Sequence, residues 1–266
     1  MTSALDISQD HIYPQDGPQR ALLNRLRFYT DLTEADEATI RALSGQTSEH
    51  ERGQKIVTAG QKMTNTLIMR KGWAIRYKTL EDGRRQILNV LLPGDIFDLQ
   101  VLVAAEADHN VMSVTDVSLY SIPPHAMRQM LLGSGSLTMA FWWTQVQEEA
   151  FLREQIVRNG RQTARERIGN FLLELHRRAQ IVDEAGEHGF RLPLTQTHIA
   201  DALGLTPIHT NRVLRKFVHD GYIVRDRSWI WFKDADALAA LCEFDPSYFH
   251  LDAFKMRLQN DSEEKS

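Results

Sequence analysis

Hydrophobic positions along this chain change their spacing several times, and each change predicts a different kind of element. Between residues 18 and 43, Leu22, Leu23, Leu26, Phe28, Leu32, Ile40 and Leu43 recur at helical intervals, which predicts one or two short helices. Thr33-Glu34-Ala35-Asp36-Glu37 supplies a capped, acidic start to the second. From about Ser48 to Pro123 the pattern becomes short β-prone runs between turns. Lys55–Thr58 ends at Gly60, Thr66–Arg70 ends at Gly72, and Trp73–Lys78 and Arg85–Leu92 flank the hairpin signal Glu81-Asp82-Gly83. Pro93-Gly94-Asp95 marks another turn, and Val111 to Ile122 alternates towards a final strand. Many short strands at regular spacing predict a sandwich or closed roll.

From Ser136 the helical period returns. Trp142, Glu149 and Ile156 recur every seven residues, with Val146, Phe151 and Leu152 on adjoining positions. A long helix with so narrow a seam predicts a partner helix; the other reading is a core helix lying on the β region. Asn159-Gly160 is expected to end it, with residues 159 to 162 as a hinge. Thr163-Ala-Arg-Glu166 is a capping box that starts a further helix through Arg178, with Ile168, Phe171, Leu172 and Leu175 on one face.

The most informative stretch runs from Leu194 to Phe217. Ile199, Ala202 and Leu203 share one face, Val213, Leu214 and Phe217 another, and Gly204 falls between them. Thr206 suits an N-cap and Pro207 the first helical position, so two short helices joined by a tight turn are predicted. Ile208, His209, Asn211, Arg212, Arg215 and Lys216 are left facing outwards, and that set can read base edges and grip phosphate. Beyond Gly221, Tyr222–Arg225 and Trp229–Phe232 predict a small hairpin around Asp226-Arg-Ser228, giving a winged helix-turn-helix. The other reading is a plain helical hairpin in a core.

Charge strengthens the first reading. The 266-residue chain carries a formal net charge of −4, yet Arg191 to Lys233 holds seven basic residues against three acidic, leaving +4 there. Basicity localised on an acidic protein is the footprint of a nucleic-acid module. Hydrophobic content of 42% and charged content of 25% are ordinary for a globular protein. No apolar run approaches the length of a bilayer span, and the N-terminus, with Asp6 and Asp10, shows no signal-peptide pattern, so no membrane partner is expected. Cys242 is the only cysteine. It excludes an internal disulfide or a four-cysteine iron–sulfur site and fits a reducing, cytoplasmic setting.

A β-roll, a long central helix and a C-terminal winged helix, with Arg70-Lys-Gly72, Asp82-Gly83, Leu92-Pro-Gly-Asp95 and 194–221, resemble the bacterial Crp/Fnr superfamily over roughly 25–235. The resemblance implies an α+β protein. Its parts would be a loose tail (1–20), a cyclic-nucleotide-binding-like, jelly-roll-like sensor with flanking helices (21–135) and a dimerisation helix (136–160). A winged helix-turn-helix (161–235, with the motif at about 195–217) and a C-terminal extension (236–266) would follow. It implies a homodimer on a pseudo-palindromic double-stranded DNA operator, with recognition helices entering successive major grooves ~34 Å apart. Trp142, Val146, Glu149, Leu152 and Ile156 would form the dimer seam. The family's phosphate-contacting positions fall on Thr195, Gln196 and Thr197, and its base-reading positions on Pro207, Ile208, Asn211 and Arg212. Arg212 matches an arginine used on guanine. Ile208 stands where relatives often carry glutamate; it can touch a thymine methyl but cannot accept from cytosine.

Cyclic-nucleotide-binding members hold ribose with Gly-Glu and phosphate with an Arg-Ser/Thr-Ala run. Here the corresponding segments read Ile96-Phe-Asp-Leu99 and Ala107-Asp-His-Asn110, and no arginine lies between Arg85 and Arg128. Asp98, Leu99, His109 and Asn110 are the candidate effector pocket, with cyclic AMP not expected. No cofactor is expected, haem on His109 being the alternative to an ordinary loop histidine. The competing function is a metal-dependent or small-molecule-binding roll enzyme with an accessory helical domain, but the ten histidines are scattered, read as surface residues, and form no metal cluster. Trp142-Trp143 could line an effector pocket or simply pack. The tail, with Leu238, Leu241, Phe244, Tyr248 and Phe249, is expected to pack on the winged helix, and RNA polymerase is a candidate partner.

Overall fold

A computed structural model describes residues 19–42, 46–103 and 106–250. The loose tail up to residue 18, Leu43 and the last part of the C-terminal extension lie outside the described residues. Two helices come first, α1 (Arg20–Arg27) and α2 (Glu34–Arg41). Thr33 caps α2 in a reciprocal box with Asp36, as the sequence predicts.

Eight strands then build two four-stranded antiparallel sheets. The first runs in the order β1 (Gln46–His50), β8 (Val117–Ile122), β3 (Thr66–Lys71), β6 (Ile96–Phe97). The second runs β2 (Lys55–Val57), β7 (Asn110–Ser113), β4 (Ala74–Thr79), β5 (Arg85–Leu91). Strand β1, too polar to carry a hydrophobic pattern, escapes the sequence reading, and the single run expected from 111 to 122 is two strands broken at 114–116. Alternation sends Met69, Ala74, Leu91, Val111 and Leu119 inwards between the sheets. Ile68, Ile96, Tyr120 and Ile122 leave the first sheet on its outer side, where α1, α2 and α3 (Pro124–Gly133) cover them.

Helix α4 (Gly135–Arg161) is 27 residues long and starts at the Ser134 cap. It runs through Gly160 instead of ending at Asn159-Gly160, and only Gln162 separates it from the Thr163 cap of α5 (Ala164–Ile181). Gln162 is extended and breaks the helical path inside the expected 159–162 segment. The outer face of the second sheet (Trp73, Ile75, Tyr77, Ile87, Val90) shares one continuous apolar cluster with Ile168, Phe171, Leu172, Ile199, Leu203, Leu214 and Phe217.

The C-terminal part comprises α6 (Gln196–Leu203), α7 (Pro207–His219) and a three-stranded sheet in the order β10 (Ile223–Asp226), β11 (Trp229–Phe232), β9 (Gly189–Arg191). Strand β9 makes the wing a three-stranded sheet where the sequence predicts a hairpin. Helix α8 (Ala235–Leu241) puts Leu238 and Cys242 against α5, where any Cβ on Gly169 would strike the Cys242 sulfur. Phe249 instead packs on Phe151 of α4, and the Tyr248 hydroxyl donates to Glu174 at 3.1 Å, so the extension also braces the central helix.

Candidate nucleic-acid interface

The interface is built from its caps outwards. Thr195 Oγ1 accepts from the His198 N–H at 3.1 Å and starts α6. Gly204 ends it at φ +62°, and Thr206 Oγ1 then accepts from the His209 N–H at 3.2 Å with Pro207 at the first helical position of α7. Leu214 and Phe217 are wholly buried, which fixes the rotation of α7 about its axis. Ile208, Arg212, Arg215 and Lys216 are consequently exposed, and His209 and Asn211 half-buried. Ile208 is 84% exposed, an apolar side chain left open at the tip of a basic helix. Thr195, Thr197, Thr206 and Pro207 are exposed beside it, and the Gln196 side-chain amide donates to Asn211 Oδ1 at 3.0 Å. Burial, aided by the nearby Arg85 and Arg52 guanidinium groups, holds His198 below the usual histidine range.

The far end of α6 is gripped by other elements. The Ala202 carbonyl accepts from Gln86 of β5 at 3.0 Å and from Asn159 of α4 at 3.1 Å, while Arg167 donates to the Leu203 carbonyl at 3.0 Å. Arg85 pairs with Asp201 at 2.7 Å. Deeper, Arg178 of α5 is buried among roll groups, reaching Asp95 and the Val90 carbonyl at 2.8 Å each and Asn89 at 3.2 Å. Asp95 also takes Arg25 of α1. The sequence reading overlooks these links because they join polar groups 36 to 116 residues apart.

On α4, Leu137, Ala140, Phe141, Ala150 and Phe151 face the body of the chain. Trp142, Glu149, Leu152 and Ile156 face away, Val146 is half-buried, and Met139 and Val157 add to an apolar strip that nothing in the chain covers among the described residues. Trp143 is packed, against Tyr29 and His250.

Beside that strip opens a cleft of about 360 Å³, lined by Arg76, Lys78, Asp98, Leu99, Asp108, His109 and Glu148 among others. Asp98 and Leu99 line it. Asn110 does not; its Oδ1 accepts from the Ala59 N–H at 3.1 Å. His109 is buried, against its reading as a surface loop residue, with Nδ1 at 2.8 Å from Asp108 and Nε2 at 3.1 Å from Asp98. His176, also expected at the surface, is buried beneath Phe190 and Phe232. Asp98 has a left-handed backbone at φ +61°. The cleft's cations come from β4, outside the segment between Arg85 and Arg128: Arg76 pairs with Glu148, and Lys78 lies 3.6 Å from Asp108. Strand alternation, which puts residues 74, 76 and 78 on one face, is the signal that could have revealed them.

Residues 47–134 match the cyclic nucleotide-binding domain and residues 166–241 the Crp-like helix-turn-helix domain, together well over half of the chain. The transcriptional activator protein FnrL of Cereibacter sphaeroides is 29% identical over 65% of this chain and 71% of its own length. The nitrogen fixation regulation protein FixK of Azorhizobium caulinodans is 28% identical over 73% of this chain and 81% of its own. The chain belongs to the Crp/Fnr family of transcription regulators. The solved structure of FixK2 from Bradyrhizobium japonicum shares the regulator's fold, with a TM-score of 0.67 at 24% identity over 74% of this chain and 96% of that one. These relatives are transcription regulators, so the reading as a roll enzyme is set aside. In the regulator, among the described residues, no helix is long and apolar enough to cross a membrane.

Proposed function

We propose that the regulator works as a homodimer, joined along the uncovered strip of α4, that reads a two-fold-symmetric DNA site with α7 of each subunit in a major groove. The observation that carries the reading is the outward face of α7. The guanidinium groups of Arg212 and Arg215 and the ammonium of Lys216, which lies 3.5 Å from Asp220, are exposed on the face that also carries an 84%-exposed Ile208, over a fully buried Leu214 and Phe217. Arg212 reads guanine, Ile208 meets a thymine methyl, and Thr195, Gln196, Thr197, Thr206 and Lys216 grip phosphate. A cytoplasmic setting follows from this role, and RNA polymerase is the expected protein partner at a promoter.

The cleft beside α4 is the proposed effector pocket, with Asp98, Leu99 and His109 in its wall. Its residues do not fit a cyclic phosphate. Both cations there face carboxylates, and Asp98, Asp108, Glu148 and Glu149 outnumber Arg76 and Lys78. Nor do they fit a haem on His109, since each of its ring nitrogens lies against a carboxylate.

The test is selection of bound sequences from a random DNA pool by effector-free protein. Enrichment of a symmetric motif with half-sites about one helical turn apart supports the reading. Enrichment of an asymmetric motif, or none with or without cell extract, overturns it.

A further inference from the structure

The last turn of an α-helix leaves its carbonyl oxygens without partners inside the helix. At the end of α6 that need is met from outside the motif. The Ala202 carbonyl accepts from Gln86 Nε2 at 3.0 Å and from Asn159 Nδ2 at 3.1 Å, with Gln155 Nε2 further off at 3.5 Å. Gln86 and Gln155 each donate as well to the Ile87 carbonyl of β5 at 2.9 Å. Two backbone carbonyls, one of the roll and one of the helix-turn-helix, are therefore bridged by two carboxamides, with Asn159 as a third donor on the Ala202 side. The sense of every bond is fixed, because a carbonyl oxygen only accepts and each side chain must present its nitrogen.

Two of the three carboxamides belong to the helix that bears the proposed dimer seam. Gln155 and Asn159 stand four residues apart on α4, so they share a face, and both are half-buried. Leu152 and Ile156, also four apart, are exposed on the neighbouring face. The C-terminal part of α4 thus offers one face to a second subunit and grips the first helix of the motif with another. The roll meets the motif largely through apolar side chains such as Ile75, Tyr77, Ile87, Ile199 and Leu203. Apolar burial is non-directional and lets packed elements slide by small amounts, whereas a hydrogen bond to a carbonyl demands both distance and angle. The carboxamides set the register of α6, and with it α7, on α4.

Resting on the paired, DNA-reading role proposed above, we infer that Gln155 and Asn159 are positioning residues that fix the separation and rotation of the two α7 helices in a dimer. They thereby set the spacing of the half-sites. They touch no base, and the letters of each half-site are read by α7 with or without them.

The test titrates full-length protein and variants with duplexes carrying two copies of the selected half-site, the spacer between them varied one base pair at a time. Each added pair moves the second half-site by ~3.4 Å and turns it by about 35°. The wild type is expected to favour one spacer over its neighbours by about tenfold. Gln155→Ala/Asn159→Ala puts good helix formers at half-buried positions, and it keeps the half-site letters and two chains per duplex. Its spacer preference shrinks to about threefold or less, chiefly through affinity lost at the best spacer. Asn159→Asp, of nearly the same shape but unable to donate, relaxes the preference in the same direction. A loss of affinity equal at every spacer, or an unchanged preference in the double-alanine protein, overturns the inference. So does a wild type that selects a symmetric motif yet accepts all spacers alike. A wild type that selects no symmetric motif overturns the underlying DNA-reading role instead.

Discussion

In the proposed complex, two residues one turn apart on α7 divide the labour of binding. Arg212, free and exposed near the helix start, can make a two-pronged contact with guanine, whereas Lys216 lies 3.5 Å from Asp220 and is a point charge suited to phosphate. Arg212→Ala is expected to erase one guanine column from the selected motif and to cost roughly 1–3 kcal/mol on the best site. Lys216→Ala should weaken all sequences alike and make the slope of log K against log salt shallower by about 1. Titrations at several salt concentrations separate the two, and a motif altered by Lys216→Ala would reverse the assignment. These side chains were legible in the sequence because cap, turn and apolar face together fix the rotation of so short a helix. The partner of Asn211 was not, since helical periodicity says nothing about which polar groups meet across a turn.

Among the elements, buried polar links decide what sits on what. Asp36 caps α2 and also accepts from the hydroxyls of Ser134 at 2.5 Å and Ser136 at 2.6 Å, tying α2 to the start of α4. Those hydroxyl bonds, Ser134's first, hold its carboxyl far below the usual carboxylate range. A depressed native pKa contributes stability that is complete above the ordinary aspartate value and lost as the pH falls towards the depressed one. Asp36→Asn should therefore be less stable than the wild type at pH 7, with the gap narrowing below about pH 4. Urea titrations at pH 7 and pH 3 check it; an equal gap at both would show that Asp36 matters only as a shape. Asp95 is the corresponding link between the roll and α5, since its carboxylate faces both Arg25 and Arg178. Asp95→Asn leaves two buried guanidinium groups without their counter-charge and should cost roughly 3–5 kcal/mol in the same assay. A loss under 1 kcal/mol would mean that the arginines find other partners.

Across the whole molecule, the order of roll, long helix and winged helix could be read from the chain because each has its own hydrophobic period. What could not be read is how they pack together. The outward face of the second sheet carries Ile75, Tyr77 and Ile87, which in sequence look like any strand residues, yet they form one core with α5 and α6. Arg76, Lys78 and Glu148 meet in the cleft beside α4 only because β4 and α4 come together there, and the buried His109 has no local signal of its burial. The strip on α4 is the opposite case. Its heptad spacing is plain in the sequence, and Trp142 and Ile156 stand 55% and 73% exposed on the side of the helix opposite Leu137, Phe141 and Phe151.

The claim that joins these scales is that two copies of α4 pair so that two copies of α7 meet one operator. Sedimentation equilibrium of the protein on its selected duplex tests it most directly, using the wild type and Ile156→Glu. The account predicts two chains per duplex for the wild type, and a monomeric Ile156→Glu whose affinity falls ~100-fold or more as the second contact is lost. One chain per duplex, or an Ile156→Glu protein that still binds as a pair with undiminished affinity, would contradict it.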